Sequence, residues 1–126
     1  MEKGLYFTST STVTAENTAI AMGSGDMDVL ATPSLVALME NAAMEAVIEK
    51  LDDDQTTVGA HIDIAHIRPT PIGETVHATA VLTAVEGRKL TFNVKAEDGQ
   101  GLIGEGTHVR YIVDRNIFLS KLHRKD

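Results

Sequence analysis

Between Ala31 and Leu51 the chain reads ATPSLVALMENAAMEAVIEKL, and no other stretch restricts the fold as much. A helix over these residues runs for ~30 Å at about 1.5 Å per residue and is apolar on almost every side. It must therefore be enclosed. Thr32 can cap it and Pro33 can open it, since proline at the first helical position gives up no needed hydrogen bond. The polar run LDDDQTT ends it. One residue stands out in its middle: Glu40, whose helical neighbours Val36, Ala37, Ala43 and Met44 are all apolar.

The enclosing surface follows in the chain. After Thr57 the helical period gives way to an alternation of period two, as in half-buried strands. In VGAHIDIAHIR, Val58, Ala60, Ile62, Ile64 and His66 share one face, and His61, Asp63 and Ala65 the other. ETVHATAVLTAVE and KLTFNVKAE follow, joined by a turn at Glu86-Gly87-Arg88. GLIGEGTHVRYIVD is the last strand, reached through Asp98-Gly99-Gln100-Gly101. Ahead of the helix, the Thr-rich segment from Leu5 suggests two strands, Tyr6 to Val13 and Thr18 to Met22, ending at Gly23-Ser24-Gly25. A strand region, a long apolar helix and a meander of strands make an α+β order, with the helix lying lengthwise on one antiparallel sheet that curls round it.

The 126 residues fit a single domain, 1–126. With no cysteine, disulfides, thiolate metal sites and cysteine nucleophiles are excluded. A formal net charge of -7 argues against a grip on nucleic-acid phosphates. Only KLHRKD at the carboxyl end clusters positive charge, and it reads as a solvated end. No apolar run is long enough to span a membrane, and MEKGLYFTSTST lacks the apolar stretch of a signal peptide, so the expectation is a cytoplasmic protein.

Four residues can carry chemistry. An isolated buried carboxylate is costly and tends toward a raised pKa, which suits Glu40 to general acid or base work; the alternative is a structural partner such as Arg68. Thr32 sits at the helix amino terminus, where unpaired amides favour negative charge, although a threonine before a proline is ordinarily only a cap. His66 points toward the helix, either as a satisfied core histidine or as a proton carrier. Gly59 marks a bulge or a close approach to the backbone, and its amide is free to bind a carbonyl oxygen. About eight residues of strand at ~3.3 Å return the chain toward Thr32, so His66 approaches it. Thr32 and Glu40 lie ~12 Å apart along a regular helix axis. Either a substrate spans them or a second chain supplies one, and the expectation is a homodimer, with tetramers as a further step. HIDIAH makes a poor metal clamp, and the alternation of Gly104, Gly106 and His108 points to close packing.

Taken together, GSG, VLATPSLVALMENAAMEAV, TTVGAHIDIAHIRPTPIGETV and GEGTHVRYIVD resemble the hot-dog-fold thioesterases of the fluoroacetyl-CoA thioesterase-like family, from about Phe7 to Ile117. The joint spacing of Thr32, Glu40, Gly59 and His66 is the specific part of the match. The resemblance implies a long helix wrapped by an antiparallel sheet, a dimer with sites at the subunit boundary, and hydrolysis of a small or short-chain acyl-CoA thioester with no metal and no cofactor. It further implies nucleophilic or base roles for Thr32 and Glu40, acid/base assistance from His66, and an amide of Gly59 at the thioester carbonyl. One departure stands before Thr32: where the fluoroacetate-specific enzyme has a phenylalanine-rich lid, this chain has GSGDMDVLAT, with Met27, Val29 and Leu30 as a non-aromatic gate, so fluoroacetyl selectivity is not expected. Two rival functions share the pattern. A hot-dog enoyl-CoA hydratase would use His66 with a carboxylate but has no use for Thr32, and a non-catalytic acyl-CoA-binding module would keep the pocket without turnover.

Overall fold

The computed structural model describes residues 1–123. The element order is β1 (Tyr6–Thr12), α1 (Ala19–Met22), α2 (Thr32–Val47) with a one-turn 3-10 extension (Ile48–Lys50), β2 (Gln55–His66), β3 (Thr75–Glu86), β4 (Lys89–Asp98), β5 (Gly101–Asp114) and α3 (Arg115–Leu122). All strands pair antiparallel in one sheet of order β1-β3-β4-β5-β2, which leaves β1 and β2 at the edges.

The alternating residues of β3 (Val76, Ala78, Ala80, Leu82) and β4 (Leu90, Phe92, Val94, Ala96) form the floor on which α2 lies. From the helix, Leu35, Met39, Ala42, Ala43 and Val47 are buried, a three-and-four spacing that gives one continuous stripe. Close contact on β5 needs the absence of side chains. A Cβ at Gly104 would sit 3.0 Å from Leu35 Cδ2, and one at Gly106 would run into the Asp63 carbonyl of β2. These two glycines thus serve packing.

Three local readings of the residue pattern need correction. The segment after Thr18 is not a strand: Thr18 accepts a hydrogen bond from the Ala21 amide, Gly23 closes the turn with φ 70°, and the helix-favouring AIAM between them forms α1. Of the expected strand only a single bridge from Thr18 to Leu30 is present. The cap of α2 is Ala31, with no side-chain cap bond, so Thr32 lies inside the first turn and its hydroxyl is free for other use.

The third correction concerns β2. Its register against β5 shifts between Gly59 and His61, so Ala60 is an extra residue and the alternation changes phase there. Before the bulge it is Thr57 and Gly59, not Val58 and Ala60, that share a face with Ile62, Ile64 and His66. The paired residues agree: Gly59 lies opposite buried Arg110, and Ile62 opposite buried His108.

After Asp114 the chain continues into α3, for which the alternation of the preceding strand carries no signal. Of the basic stretch KLHRKD, Lys121 to His123 are exposed, and Arg124 to Asp126 lie outside the described residues. No helix among the described residues is long and apolar enough to cross a membrane.

Candidate active site

At the start of α2, Thr32 Oγ1 lies 2.7 Å from His66 Nδ1, at the end of β2. The pairing joins the two elements where the bulged strand has carried the chain back along the helix. The other ring nitrogen, His66 Nε2, is buried and has no hydrogen-bond partner. Burial lowers the His66 pKa from its usual 6.5, only partly opposed by the backbone of Arg68, so the imidazole is neutral at pH 7. A neutral imidazole bonded to a hydroxyl can take the hydroxyl proton. Leu30, His66, Ile67, Arg68 and Pro69 line a cleft of 210 Å³ beside this pair. Larger hollows of 450 and 470 Å³ border the amino-terminal residues Met1 to Leu5 and touch none of the candidate residues.

Glu40 sits two turns further along α2, half-buried, and meets the other half of β2. The position that a Cβ would occupy on Gly59 is 2.8 Å from Glu40 Oε2. Only glycine leaves this space. The carboxylate takes no part in the side-chain hydrogen bonds or ion pairs among the described residues. Arg68, the arginine considered as its structural partner, is occupied elsewhere: it pairs with Asp98, which also accepts from Thr70 and from the Gln100 amide. Burial alone would raise the Asp98 pKa, but these bonds outweigh it and lower the value below 3.8.

Near Glu40 stand Arg110, Thr57 and His108, none of them among the candidates for chemistry in the sequence reading, which took His108 only as part of a closely packed strand. Arg110, 7% exposed, donates from Nε to Thr57 Oγ1 at 2.8 Å and from Nη2 to the Thr57 carbonyl at 3.0 Å. Its Nη1 faces His108 Nε2 at 3.3 Å, and His108 Nδ1 donates to the His61 carbonyl at 2.7 Å. That second bond fixes the tautomer of His108, with Nε2 as acceptor. Burial lowers the pKa of His108, with the His61 carbonyl opposing and Arg110 assisting, so this histidine is neutral too. Its ring also stacks on Phe92. The signal that could have revealed the cluster is an arginine in phase with a strand's buried positions, His108 and Arg110 being two apart.

The non-aromatic gate is divided. Leu30 is 4% exposed, belongs to the core and lines the cleft. Val29 is half-buried and bridges to Pro71, and Met27 stands 65% exposed. No group of three His, Asp or Glu among the described residues is placed to hold a metal ion.

A curled antiparallel sheet on one long helix is the arrangement of the hot-dog thioesterases, and solved members of that class match this chain. A solved structure of the fluoroacetyl-CoA thioesterase FlK matches with a TM-score of 0.93 at 34% identity, over 100% of this chain and 98% of that one. A thioesterase superfamily member from Thermus thermophilus shares the fold at a TM-score of 0.90, with 23% identity, over 98% of this chain and 91% of that one. The family model described as fluoroacetyl-CoA-specific thioesterase matches residues 13–116. The fluoroacetyl-CoA thioesterase of Streptantibioticus cattleyicolor is 40% identical over 98 residues, which cover 78% of this chain and 70% of the relative. The chain belongs to the fluoroacetyl-CoA-specific thioesterase family, and it is a thioesterase.

Proposed function

We propose that this enzyme hydrolyses a small acyl-CoA thioester at a site shared between two copies of the chain, with Thr32 and His66 from one copy and Glu40 with Gly59 from the other. The observation that carries the reading is the 2.7 Å contact of Thr32 Oγ1 with His66 Nδ1, beside a second ring nitrogen that is buried and unbonded.

In this scheme neutral His66 takes the hydroxyl proton as Thr32 Oγ1 attacks the thioester carbonyl carbon. The carbonyl oxygen becomes an oxyanion, favoured by the first-turn amides of α2 and by the Gly59 amide. The carbon–sulfur bond then breaks and CoA leaves as a thiolate, which recovers the proton from His66. Glu40 takes a proton from water as its oxygen attacks the Thr32 ester carbonyl, the bond from that carbon to Thr32 Oγ1 breaks, and Glu40 returns the proton to Oγ1, which frees the acid and restores the hydroxyl. The small acyl group is supported by the modest cleft and by the relatives: FlK variants have been crystallised with acetyl-CoA and with fluoroacetate and CoA. Met27, Val29 and Leu30 stand as an aliphatic gate where an aromatic lid is expected, which favours no fluorine in particular.

The second copy is supported by β2. It is a 12-residue edge strand, and a long unpaired edge is a template for a further strand. Its midpoint falls between Ala60 and His61, so pairing with its own copy about a two-fold axis sets the Gly59 half of one chain against the His66 half of the other. On this reading the site is assembled from both chains, and Thr32 and Glu40 of one helix need not meet.

Mixing two inactive variants tests this directly. Glu40→Gln and His66→Ala chains, unfolded together and refolded at equal amounts, form mixed dimers with one intact site each. The expected activity is about a quarter of wild type by random pairing. If the site lies within one chain, every site in the mixture is damaged and no activity returns.

A further inference from the structure

Between β2 and β3 the chain from Ile67 to Glu74 lies outside both strands, and Pro69 and Pro71 bring no amide hydrogen with which to hold it. A carboxylate holds it instead. The side chain of Asp98, at the end of β4, is 1% exposed and is bonded through both oxygens. Oδ2 accepts from Thr70 Oγ1 at 2.8 Å, and Oδ1 accepts from Arg68 Nη2 and from the Gln100 amide. Arg68 also donates to the carbonyls of Gln100 and Gly101, which staples the segment to the turn between β4 and β5. A buried charged cluster is a weak source of stability, since well-packed apolar side chains in its place are often no worse. Its worth here lies in where it fixes the chain. Arg68 is two residues beyond His66. Thr70, itself fully buried, accepts the Leu30 amide on its carbonyl at 2.9 Å, and Leu30 is two residues ahead of Thr32.

We propose that Asp98 is a positioning residue for the thioesterase: through Arg68 and Thr70 it fixes the backbone on both sides of the cleft, and with it the alignment of Thr32 and His66. The inference rests on the reading of that pair as nucleophile and base. Their contact joins main chains from different elements, α2 and β2, and β2 ends at His66 itself. The Ile103 carbonyl takes the Ile67 amide at 2.8 Å, which restrains this end of β2 toward β5. Asp98 supplies the restraint in the other direction, toward Leu30 and the start of α2. Leu30, His66 and Arg68 accordingly line one cleft. Alignment of reacting groups is sensitive to such a brace, because misplacement by about 1 Å from a distant change can cost a large factor in rate.

The test measures steady-state hydrolysis of acetyl-CoA by the full chain carrying Thr70→Val, Thr70→Ser or Asp98→Asn, each made in the wild type and in His66→Ala, with circular dichroism to confirm folding. Thr70→Val keeps the volume and removes the hydroxyl; the expected result is a kcat about tenfold lower with KM within about threefold of wild type, the pattern of lost alignment and not of lost binding. Thr70→Ser restores the hydroxyl and should stay within about twofold of wild type. Asp98→Asn weakens the bonds to both partners and should lose at least as much as Thr70→Val. In the His66→Ala background, Thr70→Val should add less than about twofold, since no pair is left to align. A purely structural cluster would lower kcat equally in both backgrounds, and that result overturns the proposal. If Asp98→Asn does not fold, Thr70→Val decides by the same criterion. Should His66→Ala turn over like wild type, the catalytic reading fails and takes the proposal with it. A damaged His66→Ala with an unaffected, folded Thr70→Val defeats the positioning role alone.

Discussion

At the amino-terminal end of α2 a hydroxyl and an imidazole are already bonded to each other, Thr32 to His66 at 2.7 Å. Two turns along the same helix, the Glu40 carboxylate touches no donor and faces a gap that only a glycine leaves open. The first end is assembled within one chain by a strand that returns to the helix cap. The second holds opposite charges apart, with an exposed strand edge beside it. A nucleophile and its base gain from being fixed before substrate arrives, because alignment costs nothing further at the moment of reaction. A carboxylate meant to act on water or on a partner's reacting group gains from staying unbonded. The difference between the two ends separates a preformed pair from a group in waiting.

Breaking the assembled end has the largest expected effect. His66→Ala removes the proposed base and should lower kcat by about a hundredfold to ten-thousandfold, the range for losing a general acid/base, while the chain remains folded. Glu40→Gln should fall at the lower end of that range, since in the proposed scheme it leaves acyl transfer to Thr32 intact and slows deacylation. Rapid-quench measurement separates the two ends: Glu40→Gln should show a burst of released CoA equal to the sites present, and His66→Ala none. A burst from His66→Ala would remove the imidazole from the first step.

The open end responds more gently to Gly59→Ala. The new Cβ would lie 2.8 Å from Glu40 Oε2, the far end of a flexible side chain, so the carboxylate can swing aside. Folding should be preserved and kcat should fall by about tenfold, as expected when a catalytic group is displaced by a fraction of an ångström. An unchanged kcat would mean that the position of the carboxylate over Gly59 is irrelevant to the chemistry. A collapse in thermal stability would mean that the gap serves packing instead.

How much of this was legible in the amino-acid order follows the physics of each element. The four strands after Thr57 and their turns were readable because alternation and glycine placement act locally: β5 was expected over the same residues, Gly101–Asp114, that form it. The helix was readable from its apolar length. Thr32, Glu40, Gly59 and His66 could be singled out because each breaks its surroundings, a polar residue or a glycine where apolar side chains belong. A bulge was one of the two readings of Gly59, and the register does shift between Gly59 and His61; the change of phase was missed, since the apolar residues of VGAHID continue the alternation unbroken, and with it went the inward face of Thr57. Arg110 was hidden for a related reason: a strand arginine reads as solvated unless the opposing strand is known to offer acceptors. The strand expected at Thr18–Met22 failed because one threonine hydroxyl, by capping, turned a short neutral segment into a helix.

The smallest effect is expected in the pH profile. His66 acts as a base only when neutral, and burial sets its pKa below 6.5. From pH 8 down to about 6.5 kcat/KM should therefore stay nearly flat, and the acid limb should have its midpoint below that value. Stability shifts in the same direction. The unfolded chain takes up a proton on each histidine near pH 6.5, whereas folded His66 and His108 resist it, so their contribution is complete above about 6.5 and is lost as pH falls toward the folded pKa values. Asp98 adds a second loss at lower pH, because its folded pKa is depressed and its contribution, complete above 3.8, disappears as pH falls through the folded value. A rate profile and a thermal melt measured at matched pH values check both. An acid limb centred at or above about pH 7 would mean that the resting imidazole is charged, and a charged imidazole has no lone pair with which to take the proton of Thr32.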